Sequence, residues 1–177
     1  MRILITGGAG FQGSHLTQRW TEAGHEVTVL NTFSAQANHT IRCISKNVSV
    51  VWGSVTDSEI VQKTVRDQDV VAHLAAGINV DESLVSPRSY LEVNVGGTLN
   101  VLEAVRQSKA RMIYASSCEV YGLAEESPVT EQSEMRPHSP YAASKAAADR
   151  MCFAYRKSYG LDVTIVRPCN IYGERQR

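Results

Sequence analysis

Tyr141-Ala-Ala-Ser-Lys145 sets a phenol and an ammonium four residues apart. On a helix, side chains at that spacing share one face. A lysine cation beside a tyrosine favours the phenolate and lowers the phenol below its ordinary pKa of ~10. Tyr141 is then a candidate base for a substrate hydroxyl during hydride transfer. Lys145 is a candidate to hold the ribose of the nicotinamide that takes the hydride. Spacing alone favours a surface helix that happens to carry Tyr and Lys. Context favours the chemistry: a fifth apolar strand and a serine-rich strand end precede this helix, and a glycine turn opens the chain.

The strand end reads YASSCEVYG over Tyr114–Gly122. Ser117 sits where the strand stops, so its hydroxyl can meet a substrate oxygen near Tyr141. Glu119 adds a carboxylate in the same turn. Turn chemistry is the competing reading for Ser116 and Ser117, and a solvated loop charge is the one for Glu119. Cys118 reads as a small buried filler. Asn94, in VNVGGTLN, falls inside a helical stretch where Asn is a mediocre former. It is either bonded into a polar network or incidental.

Thr6–Gly13 reads TGGAGFQG. Gly7, Gly10 and Gly13 let a strand turn sharply, bring backbone close to a pyrophosphate, and pack the next helix on the strand. The N-terminus of that helix, at Phe11 and Gln12, offers free N–H groups and partial positive charge to phosphates. Tight strand–helix turns use glycine for structural reasons too. Here, though, the turn follows a strand, precedes a helix and opens a repeating pattern. The acid expected on the adenosine ribose at the end of the second strand is Asn31, which bonds a 2′-hydroxyl without repelling a 2′-phosphate. No arginine follows before Arg42. NAD is therefore expected over NADP.

Apolar strands and helical stretches must position these groups. Strands are expected at Arg2–Thr6, Glu26–Leu30, Val48–Trp52, Asp69–Ala75, Arg111–Ala115 and Asp162–Val166. Helices are expected at Gly13–Ala23, at Asp57–Arg66 with Asp57 as N-cap, at Tyr90–Gln107 and at Tyr141–Tyr159. The stripe Leu91, Val95, Leu99, Leu102 and Val105 is read as the core face of the Tyr90–Gln107 helix, with Val93 and Val101 left for a partner. Leu123–Pro140 reads as a polar loop. The alternation predicts an α/β fold, a Rossmann-type doubly wound parallel sheet. Its ligands belong beyond the carboxyl ends of the strands, at Gly7–Gly13, Asn31, Gly53–Asp57, Ala75–Gly77, Ser116–Glu119 and Arg167–Gly173.

The chain has 177 residues, enough for one domain with a sizeable core, and 18 basic against 18 acidic residues. That balance lacks the basic excess of a nucleic-acid binder. No apolar run approaches the ~20 residues of a membrane span. The opening MRILITGGAG is too short and too glycine-broken for a signal peptide. Cys43, Cys118, Cys152 and Cys169 have no paired spacing, and the histidines lack metal-site spacing. A cytoplasmic chain with free thiols and no metal is expected.

Six motifs stand in order: TGGAGFQG, HLAA at His73–Ala76, VNVGGT at Val93–Thr98, SSCEVYG at Ser116–Gly122, SPYAASK at Ser139–Lys145 and RPCNIYG at Arg167–Gly173. In these the chain resembles the extended short-chain dehydrogenases/reductases, the NAD-dependent epimerase/dehydratase group that modifies nucleotide sugars. The resemblance implies a catalytic Ser117, Tyr141 and Lys145, transient oxidation at sugar C4, and a homodimer built on helices Tyr90–Gln107 and Tyr141–Tyr159. It implies a cofactor site of Gly7, Gly10, Phe11, Gln12, Gly13, Asn31, Ser54, Val55, Leu74, Ala75, Ala76, Asn94, Tyr141, Lys145 and Pro168. Ser117, Cys118 and Asn170 would meet substrate. Glu119 resembles the glutamate of hexose 4,6-dehydratases and UDP-glucuronate decarboxylases, where it would take the C5 proton. Asn31, Ser54, Cys169 and Glu174 depart from the group's pattern. So does the ending: the C-terminal substrate lobe is largely absent, so residues 1–177 are expected to bind cofactor and turn over substrate poorly. The alternatives are a non-catalytic NAD-binding regulatory module and a reductase of small carbonyl compounds.

Overall fold

A computed structural model describes residues 1–44, 47–123 and 127–176. Residues 124–126 of the expected polar loop, and Arg177, lie outside the described residues. In β1 (Arg2–Thr6), Leu4 faces one side of the sheet while Ile3 and Ile5 face the other, and all three are buried. A strand buried on both faces needs helices on both, as parallel sheets have. Burying one such side chain fully contributes roughly 1.5–3 kcal/mol.

The chain continues through α1 (Phe11–Glu22), β2 (Glu26–Asn31), α2 (Ala35–Ile44), β3 (Ser49–Trp52), α3 (Ser58–Val65) and β4 (Val70–His73). Next come α4 (Val80–Val85), α5 (Pro87–Tyr90), a π-helical stretch Leu91–Gly96, α6 (Gly97–Ser108) and β5 (Arg111–Ala115). A single 3₁₀ turn Cys118–Tyr121, α7 (Pro140–Tyr159) and β6 (Val163–Val166) complete it. The six strands are parallel in the order β3-β2-β1-β4-β5-β6. The order reverses at β1 and β4, so the crevice beyond their carboxyl ends is the switch point where such sheets bind ligands. Helices α1 and α2 cover the face of Ile3, Ile5 and Val29; α3, α6 and α7 cover that of Leu4, Leu30, Val71 and Met112.

Asp57 caps α3 as expected, accepting from the N–H groups of Glu59 and Ile60. Helices α2 and α4 lie outside the sequence reading, and α5 begins three residues before the helix expected from Tyr90. For α2 the signals were Ser34, whose hydroxyl accepts from the Ala37 N–H, and the Ala37/Ile41 pair. For α4 the signal was Asn79, which accepts from the Glu82 N–H. The core stripe of α6 needs correction. Val101 is fully buried and Val93 packs against the core, whereas Leu91 and Leu99 are exposed. The π stretch explains this: its wider turn shifts the phase of the helix, so a regular 3.6-residue reading through it fails.

His73, at the end of β4, is fully buried between two threonines. Thr98 donates its hydroxyl to the Asn94 carbonyl, so it accepts from His73 Nε2 at 3.0 Å; Thr6 then donates to Nδ1 at 2.6 Å. Thr6 Oγ1 also accepts from the Ala75 N–H. The chain thereby ties β1, β4 and the helix through Asn94 together under the crevice with a neutral imidazole. Burial holds the imidazole pKa down at about 3. Because the folded pKa lies below the unfolded one, the stabilisation is complete above about pH 6.5 and is lost as pH falls toward 3. Lowering pH from about 7.5 to about 5 is expected to cost about 2 kcal/mol through this residue. Urea unfolding at the two pH values measures it, and His73→Asn should lack that part of the slope. An identical slope in the variant contradicts the assignment.

Candidate active site

The strand ends open onto a cleft of about 830 Å³. Along its rim lie Gly7, Gly10, Phe11, Gln12 and Gly13 of the first turn, Asn31, Ser54 and Val55, Leu74–Ala76, then Ser117, Glu119, Tyr141, Lys145, Pro168, Cys169 and Asn170. All but two of the residues singled out from sequence therefore meet in one hollow.

Gly7 has φ +73°, and a Cβ there would lie 2.8 Å from the Ala75 nitrogen, so this turn requires glycine. A Cβ on Gly13 would lie 2.1 Å from the Gly7 carbonyl oxygen, which is what lets α1 seat on β1. Gly10 is different: a Cβ there meets only the Gly7 oxygen, at 3.2 Å, and otherwise open cleft. Gly10 N-caps α1 without a side-chain hydrogen bond, and the first turn of α1 carries no acid. The first N–H groups of a 12-residue helix thus face the cleft without a neutralising partner. A diphosphate fits that cradle.

Asn31 sits at the tip of β2. Its Oδ1 accepts from the Ala9 N–H and its Nδ2 donates to the Thr32 carbonyl, so the amide also braces the glycine turn. One N–H remains for a ribose hydroxyl. Ser54 bonds the Thr56 hydroxyl and N–H. Val55 packs against Gly97, whose Cβ would lie 2.5 Å from it.

Asn94 lies beneath the cleft wall, not in it. Its carboxamide accepts from the Gly77 N–H at 2.7 Å and donates to the Gly77 carbonyl and to Ser144 Oγ. The polar-network reading is the one realised: Asn94 clamps the Ala76–Gly77 loop to α7. Cys118 also falls outside the cleft lining, half-buried behind Ser117.

Ser139 caps α7, accepting from the Ala142 N–H, and Ser83 of α4 accepts from the Tyr141 N–H. The Tyr141 ring meets the Tyr90 ring edge-on at 6.5 Å. Ser117 is buried at the end of β5; its Oγ accepts from the Glu119 N–H. Burial pushes the Tyr141 phenol above its ordinary value, a hydrogen bond from Ser117 opposes this, and the Glu119 carboxylate adds to the rise.

The expected lowering of the phenol by Lys145 is not what this geometry produces. The ammonium, 4% exposed, donates to the Ala115 carbonyl and stands 4.8 Å over the Tyr114 ring. A buried cation takes whatever acceptor is in reach, and here that is the strand end. Burial pushes Lys145 down to about 8, against the pull of Cys152 and Asp149.

Sequence reasoning missed the ion pair that holds the far wall. Asp149, one turn beyond Lys145 and fully buried, accepts from Arg167 at 2.8 and 3.0 Å. Arg167 also donates to the Tyr121 hydroxyl at 2.6 Å. Burial would raise the Asp149 carboxyl, but bonds from Arg167 and Arg150 outweigh it and hold it low. The pair locks α7, the end of β6 and the 3₁₀ turn together, fixing where Pro168–Asn170 and Glu119 stand. The available signal was an acid four residues past Lys145 with an arginine opening RPCN.

Among the described residues no helix is long and apolar enough to cross a membrane, and no three His, Cys, Asp or Glu side chains are grouped to hold a metal.

A glycine-turn cleft at the switch point of a parallel sheet, with Ser, Tyr and Lys at its other end, defines a Rossmann-type dinucleotide-binding domain of the short-chain dehydrogenase/reductase class. The sequence model of the NAD dependent epimerase/dehydratase family matches residues 3–177, and the chain belongs to that family. It is 38% identical over 182 residues to a dTDP-glucose 4,6-dehydratase of Mycobacterium tuberculosis, covering 99% of this chain and 55% of that protein. It is 36% identical over 176 residues to a UDP-glucose 4-epimerase of Streptomyces lividans, covering 97% and 53%. Among solved structures, DesIV, a dTDP-glucose 4,6-dehydratase from Streptomyces venezuelae with NAD and TYD bound, superposes with a TM-score of 0.92 at 36% identity, covering 99% of this chain and 58% of that one. The chain thus spans about half the length of the relatives it matches.

Proposed function

We propose that residues 1–177 are the NAD-binding domain, with its Ser-Tyr-Lys site, of an enzyme that epimerises or dehydrates a nucleotide sugar. One observation carries this reading: Ser117, Glu119, Tyr141 and Lys145 line the same cleft as the uncapped N-terminus of α1. A bound NAD would supply a reversible hydride acceptor for the sugar carbon. The remaining work is this chain's. The α1 N-terminus and Gly10 hold the diphosphate, and Asn31 the adenosine ribose. Lys145 holds the other ribose. Ser117 orients the sugar C4 hydroxyl, and Tyr141 removes its proton and later returns it. Glu119, exposed in the same cleft, is placed to take the C5 proton in a dehydration. The relatives include dehydratases, epimerases and a decarboxylase, so the proposal is the group.

NAD is expected to bind at least tenfold more tightly than NADP. The tip of β2 presents an amide and is followed by Thr32, Phe33 and Ser34, with no guanidinium to receive a 2′-phosphate. Calorimetric titration with both cofactors decides, and equal or tighter NADP binding overturns the preference.

A homodimer through the π-helical stretch with α6 and through α7 is part of the same reading. Its support is Leu91, Leu99 and Phe153, exposed at 54%, 36% and 43%, in place of Val93 and Val101, which the monomer itself covers. Light scattering at micromolar concentration should give twice the chain mass. A monomer mass contradicts it.

A further inference from the structure

Two of the four cysteines face each other across a strand pair. β5 and β6 run parallel with Met112 opposite Val163 and Ala115 opposite Val166. The backbone bonds keep that offset past the strand ends: Met112 N–H to Asp162, Ser116 N–H to Val166 and Cys118 N–H to Pro168, at 2.9, 2.7 and 3.0 Å. The same register sets Cys118 opposite Cys169. Neighbouring strands lie ~4.8 Å apart, and opposed residues present their side chains to the same face. Disulfides join Cα atoms ~4.4–6.8 Å apart. The thiols are in each other's reach: burial pushes the Cys118 thiol up, and the Cys169 sulfur and Glu119 carboxylate push it further. Cys169 is exposed and lines the cleft, while Cys118 is half-buried behind it. Cys152 is buried in the core, and Cys43 lies on α2 at the opposite edge of the sheet.

We propose that Cys118 and Cys169 are a redox modification site, converted by a peroxide to a disulfide that ties the Ser117–Glu119 turn to the Pro168–Asn170 wall. The Cys169 thiolate, reached through the cleft, attacks one peroxide oxygen. The O–O bond breaks, water leaves after protonation, and Cys169 becomes a sulfenic acid. Cys118 then attacks that sulfur as thiolate; the S–S bond forms, the S–O bond breaks and a second water leaves. Two thiols lose two electrons and two protons, and one hydrogen peroxide is reduced to two waters. The Cys118 N–H bond to the Pro168 carbonyl continues the strand register to this pair and sets the two cysteines side by side.

The test treats the 177-residue chain with a few-fold excess of hydrogen peroxide, blocks remaining thiols with iodoacetamide, and maps peptides by mass spectrometry with and without dithiothreitol. A linked Cys118–Cys169 peptide pair, two hydrogens lighter than its parts and separated by dithiothreitol, is expected, with Cys152 still a free thiol. Cys43→Ser should keep the link. Cys169→Ser, at an exposed position that does not endanger folding, should lose it and leave Cys118 alkylated. The proposal is overturned if both cysteines stay alkylatable, if each oxidises to sulfinic or sulfonic acid without linking, or if either pairs with Cys43 instead.

Discussion

Replacing Tyr141 with Phe is expected to lower nucleotide-sugar turnover by ~10² to 10⁴, the usual value of a positioned proton-transfer group, while cofactor affinity and thermal stability hold. The substitution removes one atom of function. The ring stays edge-on to Tyr90, and the backbone N–H that Ser83 accepts is untouched. The lost hydroxyl belongs to a side chain that lines the same cleft as Ser117 and Glu119. The phenol is raised by burial in the free chain, and Lys145 is turned to the Ala115 carbonyl. The phenolate is therefore expected to need the ligand-filled cleft, where a cofactor ribose gives the ammonium another partner. Steady-state rates on this chain, or on a longer protein containing it, measure the effect. A Phe variant within threefold of the parent would assign the base to another residue.

The second large effect is expected at Gly10. Its backbone is extended, at φ −76° and ψ −179°, a conformation any residue adopts, and a Cβ there meets only the Gly7 oxygen at 3.2 Å. Gly10→Leu should therefore fold, yet its side chain fills the space before the α1 N-terminus. Charge-assisted hydrogen bonds contribute ~1.5–3 kcal/mol each, so losing one or two weakens NAD binding by roughly 10- to 10⁴-fold. Gly13→Ala reads differently. Its Cβ would lie 2.1 Å from one backbone atom and 2.7 Å from another, so stability itself falls, by ~1–3 kcal/mol or more, as in overpacked cores. Calorimetric NAD titration beside thermal melts separates the two. Unchanged NAD affinity in Gly10→Leu would remove the diphosphate from that turn.

The sheet was legible because each strand is a short apolar run between turn residues, and burial on both faces leaves little else for Ile3–Ile5 or Val70–Val71 to do. The cleft was legible because parallel sheets put their ligand groups at carboxyl ends, where Gly7, Asn31, Ser117 and Asn170 all fall. What escaped depends on three-dimensional contact. The core face of α6 was misread because a π stretch has no strong sequence signature. The bonds of Asn94 to Gly77 and Ser144 could not be read from its place in VNVGGT. Asp149 and Arg167 are 18 residues apart in sequence and meet only when α7 packs beside β6. Lys145 points at a strand end that nothing in Y-x-x-x-K spacing reveals.

The central claim is that this cleft holds NAD and uses it as a returning hydride store. The most direct measurement offers a longer protein containing residues 1–177 and carrying bound NAD a panel of UDP-, GDP-, dTDP- and CDP-sugars, and follows sugar products by chromatography and free NADH by absorbance. The account predicts an epimerised, dehydrated or decarboxylated sugar nucleotide from at least one of them, with no net NADH released and with product lost in Tyr141→Phe. Retained NAD with no product from any sugar nucleotide, or stoichiometric oxidation or reduction of free cofactor, would contradict it.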